Sequence, residues 1–224
     1  YRQVQDFQRM GVNIDRADMA HWTILCAERY LSILYDYLHE RLYDYHVIQA
    51  DETPVRVTKE DRSEGHRHYM WVYRTGKMYQ DKPIVLYEYQ PSRNADHPRV
   101  FLKDFQGICV TDGYQVYHTL EKEREDLRIA GCWAHARRRF DAALTALKKD
   151  FTKEQLKETI AYQAMSRIGI LYKIEEMIHN KTPEEKYEER QKQSRPVMDA
   201  LFEWLHTMED SVDLSLIHIS EPTR

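Results

Sequence analysis

Between Asp15 and about Leu42, apolar residues recur at steps of three and four. Met19, Trp22, Cys26, Tyr30, Ile33, Tyr37 and Leu38 fall on that period, which predicts an amphipathic helix with Asp15 as its N-cap and one break near Tyr30. The preceding residues 1–14 read as the end of another helix and a turn at Gly11–Val12–Asn13. At His46 the period changes. Segments 46–58, 67–75 and 84–90 are rich in Val, Ile, Tyr and Thr and predict three strands, separated by the charged, Gly-containing loops Lys59–Gly65 and Gly76–Pro83. A helix follows over Ala95–Phe105. Gly107 then opens a short apolar strand, Ile108–Cys109–Val110, running into Thr111–Asp112–Gly113. Next come a helix over Val116–Lys122 and a strand over Leu127–Trp133. From His135 to about Asp210 the chain reads as helix, with one apolar stripe through Leu156, Ile160, Ala164, Ile168, Leu171, Ile174 and Ile178. Ser194, ahead of Pro196, marks the start of the last helix.

Three strands able to pair as a meander, then alternating helices and strands, is the element order of the RNase H fold. The expected class is therefore α/β (α+β): an RNase H-like mixed sheet with flanking helices, an N-terminal helical hairpin and a C-terminal helical region. The expected division is a helical segment at 1–44, a core at 45–150, a helical insertion at 151–213 and a tail at 214–224. Hydrophobic residues at 42% and charged residues at 31% fit an ordinary globular chain, and no stretch is apolar enough for a membrane span. Cys26, Cys109 and Cys132 lie far apart, which suits reduced thiols in a cytoplasm better than a disulfide framework. The formal net charge of −4 means that any nucleic-acid surface must be local.

Two acids draw attention within this order. Asp51 lies inside the first strand, beside apolar Ile48 and Ala50, where a carboxylate is disfavoured. Asp112 ends the fourth strand, the strand end at which open α/β sheets place ligands. Carboxylates fixed on adjacent central strands suit two-metal phosphoryl transfer, whose ions sit about 3.5–4 Å apart. The alternatives are a strand-end acid held by a hydrogen-bond partner for Asp51, and a turn acid in Asp112–Gly113. Glu52 follows Asp51 on the strand, so it points to the opposite face. The segment Gly131–Phe140 places His135, Arg137, Arg138 and Arg139 at a strand-to-helix junction. A helix start favours anions and Arg binds phosphate in bidentate fashion, whereas the plainer reading is a solvated basic face. Cys132 and His135 have C-x-x-H spacing but no second pair, which argues against zinc. His66 and His68 alternate on a strand and read as surface or core. The first two helices read as the latter part of a helix-turn-helix or as an ordinary αα-hairpin.

Taken together, several motifs resemble the central domain of the insertion-sequence-sixty-six transposase family. They are Arg2–Gln3 through Trp22, Ala50–Asp51–Glu52–Thr53–Pro54–Val55, Tyr69–Met70–Trp71–Val72–Tyr73, Pro91–Ser92–Arg93, Thr111–Asp112–Gly113–Tyr114, Gly131–Cys132–Trp133–Ala134–His135–Ala136–Arg137–Arg138 and Leu171–Tyr172–Lys173–Ile174–Glu175. They stand in the family's order across residues 1 to about 210. The resemblance implies a DNA transposase that holds Mg²⁺ (or Mn²⁺) with two Asp and one Glu, cuts transposon ends and joins them to target DNA, acting as a homo-oligomer at full length. Asp51 and Asp112 are then the first two catalytic, metal-holding acids. The family's third acid belongs to an Asn-rich segment that nothing here matches, and Leu216–Arg224 reads as a translated adapter or vector tail. The expectation is a truncated chain, catalytically incomplete as it stands. Competing readings are an RNase H-like nuclease that only hydrolyses, and a non-catalytic DNA-binding protein.

Overall fold

In the computed structural model, residues 1–57, 67–76, 79 and 81–209 are described. The loop expected at Lys59–Gly65, His66, and the tail expected at 214–224 lie outside the described residues. The chain divides into two compact units, Tyr1–Ala130 and a second from Gly131 onward.

The first unit opens with α1 (Arg2–Arg9), a turn in which Gly11 takes φ +76°, and α2 (Arg16–Cys26). Asp15 caps α2 as expected. Its side chain accepts from the Asp18 amide at 2.9 Å, and the Asp18 carboxylate accepts from the Asp15 amide at 3.0 Å, so two otherwise orphaned donors are satisfied. The break expected near Tyr30 is instead a π-helical turn, Ala27–Leu31, that carries α2 without interruption into α3 (Ser32–Leu42). A wider turn rotates the helix face without ending it. In α3 that leaves Tyr35, Leu38 and Leu42 packed into the core.

Five strands follow in the expected order: β1 (Val47–Val55), β2 (His68–Thr75), β3 (Val85–Gln90), β4 (Gly107–Thr111) and β5 (Leu127–Gly131). The sheet order is β3-β2-β1-β4-β5, with β1–β2 and β2–β3 antiparallel and β1–β4 parallel. The crossover to β4 runs through α4 (Asp96–Phe101), and α5 (Gln115–Glu123) joins β4 to β5. The chain is thus a mixed α/β protein with a mixed five-stranded sheet and flanking helices. Ile48 and Ala50 of β1, Trp71 and Tyr73 of β2, Cys109 of β4 and Tyr117 and Leu120 of α5 form the core with Phe101, Leu102 and Phe105. Tyr73 and Phe101 stack with ring centroids 3.5 Å apart. Burial pushes the Cys109 thiol up to about 12, so this cysteine is a packing residue rather than a reactive thiolate. His68 is buried, its ring stacked on Tyr89, whose hydroxyl lies 2.6 Å from Nδ1.

The second unit comprises α6 (Trp133–Leu147), α7 (Lys153–Glu158), α8 (Ile160–Met177), α9 (Pro183–Glu189) and α10 (Arg195–Glu209). Ala164, Ile168, Leu171, Ile174 and Ile178 are buried, as the stripe requires, together with Leu144 and Leu201. The stripe is not one helix, however. Thr159 adopts an extended backbone and its Oγ1 accepts from the Tyr162 amide, so α8 starts anew and Leu156 belongs to α7. The last helix begins at Arg195, but Ser194 does not cap it. A second π-helical turn, Arg190–Ser194, joins α9 to α10.

Parallel pairing of β1 with β4 depends on Gly107. Its φ is +143°, and a Cβ built there collides with the His46 carbonyl oxygen, the acceptor of the Ile108 amide at 2.8 Å. Gly107→Ala is expected to destabilise the chain by about 2 kcal/mol or more in urea unfolding, because both the conformation and the space exclude a methyl group. Gly113→Ala has a strained φ of +89° but open space around it, so its loss should be smaller. Equal losses at the two glycines would refute the close-approach argument.

Candidate functional site

Along β1 the side chains alternate. Ile48, Ala50 and Glu52 are buried, while Val47, Gln49 and Asp51 lie on the other face. The parallel register sets Val47 beside Ile108, Ile48 beside Cys109 and Gln49 beside Val110. Carried two places further, it sets Asp51 beside Asp112, which leaves the sheet just after β4. Neighbouring strands are about 4.8 Å apart, so the two acids start from adjacent backbone positions at the C-terminal end of β4. Asp51 is half-buried and its Oδ1 accepts from the Glu52 amide at 3.0 Å.

Asp112 is held by the turn that follows it. Gly113 takes the left-handed conformation that lets the chain reverse, and Asp112 Oδ1 accepts from the Tyr114 amide at 2.9 Å. On the other side, one nitrogen of the Arg93 guanidinium lies 3.6 Å from Asp112 Oδ2. That guanidinium also sits 3.7 Å above the Tyr114 ring, and the Tyr114 hydroxyl donates to the Arg93 carbonyl at 2.8 Å.

The main charge partner of Arg93 is Glu52. Its Nε donates to Glu52 Oε1 at 2.7 Å and a second nitrogen lies 2.5 Å from the same oxygen. The Glu52 side chain has no solvent exposure, against 37% for Arg93. The Tyr117 hydroxyl donates to Glu52 Oε2 at 3.3 Å. Burial pushes the Glu52 carboxyl above its ordinary range. The Arg93 hydrogen bond and charge oppose that rise, while Asp112 and Asp51 add to it. Glu52 therefore does point away from Asp51, into the core, yet stays coupled to both acids. Sequence reading passed over Glu52 and Arg93 as working partners. The available signal was an acid on the buried face of a strand together with an Arg in the Pro91–Ser92–Arg93 motif.

Asp51 and Asp112 are hard oxygen donors of the kind Mg²⁺ takes, and their placement side by side fits a divalent ion. Among the described residues no group of three or more His, Cys, Asp or Glu side chains is arranged to hold a metal. Cys132 precedes α6 and His135 lies in its first turn.

In the second unit, Arg137, Arg138 and Arg139 are exposed in the first two turns of α6, and His135 is half-buried. Arg137 lies over the Tyr172 ring at 5.4 Å. Arg137 and Arg138 line a cleft of about 270 Å³ with Ala134, Asp141, Met165 and Tyr172; Arg139 does not line it.

A mixed five-stranded sheet with flanking helices, one aspartate on its central strand and another just past the end of the parallel neighbour, defines an α/β protein. The family model described as "Transposase IS66 family" matches residues 1–216, and the chain belongs to that family. It is 30% identical over 213 residues to the "Uncharacterized protein y4qI" of Sinorhizobium fredii (strain NBRC 101917 / NGR234), covering 91% of this chain and 38% of that protein. It is also 30% identical to y4jD of the same organism, covering 90% of this chain and 39% of that protein. The chain thus spans less than two-fifths of the length of these relatives. No solved structure matches it. Among the described residues no helix is long and apolar enough to cross a membrane.

Removing Arg93 should expose the cost of the buried Glu52 charge. Arg93→Ala is expected to destabilise the chain by about 2 kcal/mol at pH 7, less than a fully enclosed pair because Arg93 is partly solvated. A carboxyl whose folded pKa is raised contributes stability below its unfolded value, and that contribution is lost as pH rises through the folded value. Without Arg93 the folded pKa climbs further and the lost stability grows. The gap between wild type and Arg93→Ala in urea midpoint should therefore be small near pH 4.5 and widen toward pH 7. In a Glu52→Gln background the gap should not change with pH, and a pH-dependent gap there would remove Glu52 from the explanation.

Proposed function

We propose that this chain is the catalytic-core portion of a DNA transposase, with Asp51 and Asp112 as two of its metal-holding carboxylates. The observation that supports the reading is the parallel register of β1 with β4, which, carried two places past Gln49 and Val110, sets Asp51 beside Asp112 at the C-terminal end of β4. The sheet order β3-β2-β1-β4-β5, with a parallel pair at its centre, is the arrangement expected of an RNase H-like core.

Asp51 and Asp112 would offer hard oxygens to Mg²⁺ or Mn²⁺, from a rigid strand and from a turn locked by the Tyr114 amide. A bound divalent ion supplies charge neutralisation for the attacking and leaving oxygens of phosphoryl transfer. Arg93 restrains the Asp112 carboxylate from its outer side, with Glu52 fixing the guanidinium. The substrate is DNA, at transposon ends and target, and Arg137, Arg138, Arg139 and His135 at the start of α6 serve its phosphates. The reading calls for a third carboxylate, which the family resemblance puts beyond residue 213, and a homo-oligomer at full length.

Mn²⁺ titration followed by calorimetry is expected to give weak binding that Asp51→Asn and Asp112→Asn each abolish while the fold survives. Binding that persists in both variants would place the ion elsewhere. In a Mg²⁺-dependent DNA-cleavage assay the chain alone is expected to be inactive. Robust cleavage abolished by Asp51→Ala would instead put every required acid inside it.

The arginines make a separate, measurable demand. Replacing Arg137, Arg138 and Arg139 together with Ala should weaken binding to any DNA sequence and flatten the salt dependence by about two to three units of log–log slope. An unchanged slope would return the cluster to a solvated helix face.

A further inference from the structure

Helix α3 carries two apolar stripes. Tyr35, Leu38, His39 and Leu42 repeat at i, i+3, i+4 and i+7, and this side packs inward: Leu42 is fully buried, Tyr35 and Leu38 lie against the core, and His39 stacks on Phe101 at 3.9 Å. Tyr30, in the π-helical turn before α3, and Ile33, Leu34 and Tyr37 within it repeat at the same spacing on another face. They are 67%, 67%, 52% and 55% exposed, respectively. An amphipathic surface helix needs only one such stripe. Trp22, Ile24 and Leu31 are also exposed along the same continuous helix, which brings the exposed apolar surface to the order of several hundred Å², the size associated with partner binding.

We propose that this outer stripe is a two-fold interface between two copies of the chain, with α3 packed antiparallel against α3. The stripe is self-complementary in charge. Setting Ile33 of one copy against Leu34 of the other brings Tyr30 opposite Tyr37. The same register places Arg29 between Asp36 and Glu40 of the other copy, about 3 Å along the axis from each. The symmetry repeats that contact at the other end of the interface. Among the described residues Arg29, Asp36 and Glu40 form no ion pair within the chain, whereas nearby Arg41 is already taken by Asp44 at 3.1 Å and lies over Tyr37 at 5.7 Å. A parallel arrangement would bring like charges into line at each of these positions. The interface is small, so the dimer is expected to be of micromolar strength. The inference is independent of the metal site; it gives a surface to the homo-oligomer that the transposase reading calls for, and a monomer would leave the metal-binding test untouched.

Sedimentation equilibrium of the 224-residue chain from about 1 to 100 µM tests it. A concentration-dependent dimer is expected. Ile33→Glu, at an exposed position, should leave circular dichroism unchanged and give a monomer. Arg29→Glu should weaken the dimer about tenfold, and adding Asp36→Arg with Glu40→Arg should restore it. The charge exchange separates a specific antiparallel contact from general stickiness. A monomer at about 100 µM would mean that the stripe is covered by another part of the protein or by a different partner, and would overturn the proposal. A dimer indifferent to Ile33→Glu, or charge variants that fail to rescue, would overturn it equally.

Discussion

Parallel pairing between β1 and β4 is the constraint on which the rest of the first unit depends. The two strands are separated in sequence by the whole β2–β3 meander and α4, so the pairing closes a long loop with few contacts of its own. What secures it is local. His46 lends its carbonyl to the Ile108 amide, and Gly107 lets the two backbones approach while its own amide donates to the Asp126 carbonyl at 2.9 Å. One glycine therefore ties β1, β4 and the entry to β5 together. A one-residue slip would swap the buried and open faces of β4 relative to β1, putting Asp112 beside Ala50 or Glu52 rather than Asp51.

That register has an electrostatic consequence. Alternation puts Glu52 in the core as surely as it puts Asp51 on the other face, and a bare carboxylate there would be strongly disfavoured. Arg93 resolves this from the segment between β3 and α4, and Tyr117 takes the remaining oxygen. Because the same guanidinium lies near Asp112, the group that makes Glu52 tolerable also steadies a residue of the proposed site. Stability and site geometry share one side chain, so Arg93 serves both.

Strand and helix positions in the first unit were legible because period and element length agree. The shift from steps of three and four to a β-rich pattern at His46 is unambiguous, and the acids at Asp51 and Asp112 stand out against apolar neighbours. Long-range partnership was not legible. Nothing local says that Arg93 reaches Glu52, forty-one positions earlier, or that Tyr117 reaches it from α5. Alternation gives the direction of Glu52, but direction does not reveal that a buried acid must have found a cation. The apolar stripe of the second unit was read through Thr159 because its spacing hardly changes there. Only the side chain's cap on the Tyr162 amide separates α7 from α8.

The two π-helical turns show why periodicity misplaces such joints. In each, the chain stays helical while its phase slips, so a reader expecting 3.6 residues per turn infers a break. Near Tyr30 the slip has no proline or glycine to explain it; Ala27–Leu31 contains neither. Its effect is on orientation. With the slip, Tyr35, Leu38 and Leu42 turn into the core, and the apolar residues that continue the α2 pattern are left facing outward. At Arg190–Ser194 a proline follows closely, Pro196, which has no amide proton to give to the preceding turn. In the first case the exposed second apolar face costs solvation that the proposed second copy would recover. Within α3 itself both stripes are fixed by sequence, Ile33, Leu34 and Tyr37 on one face and Tyr35, Leu38 and Leu42 on another, so the slip sets which of them meets the core and not whether both exist.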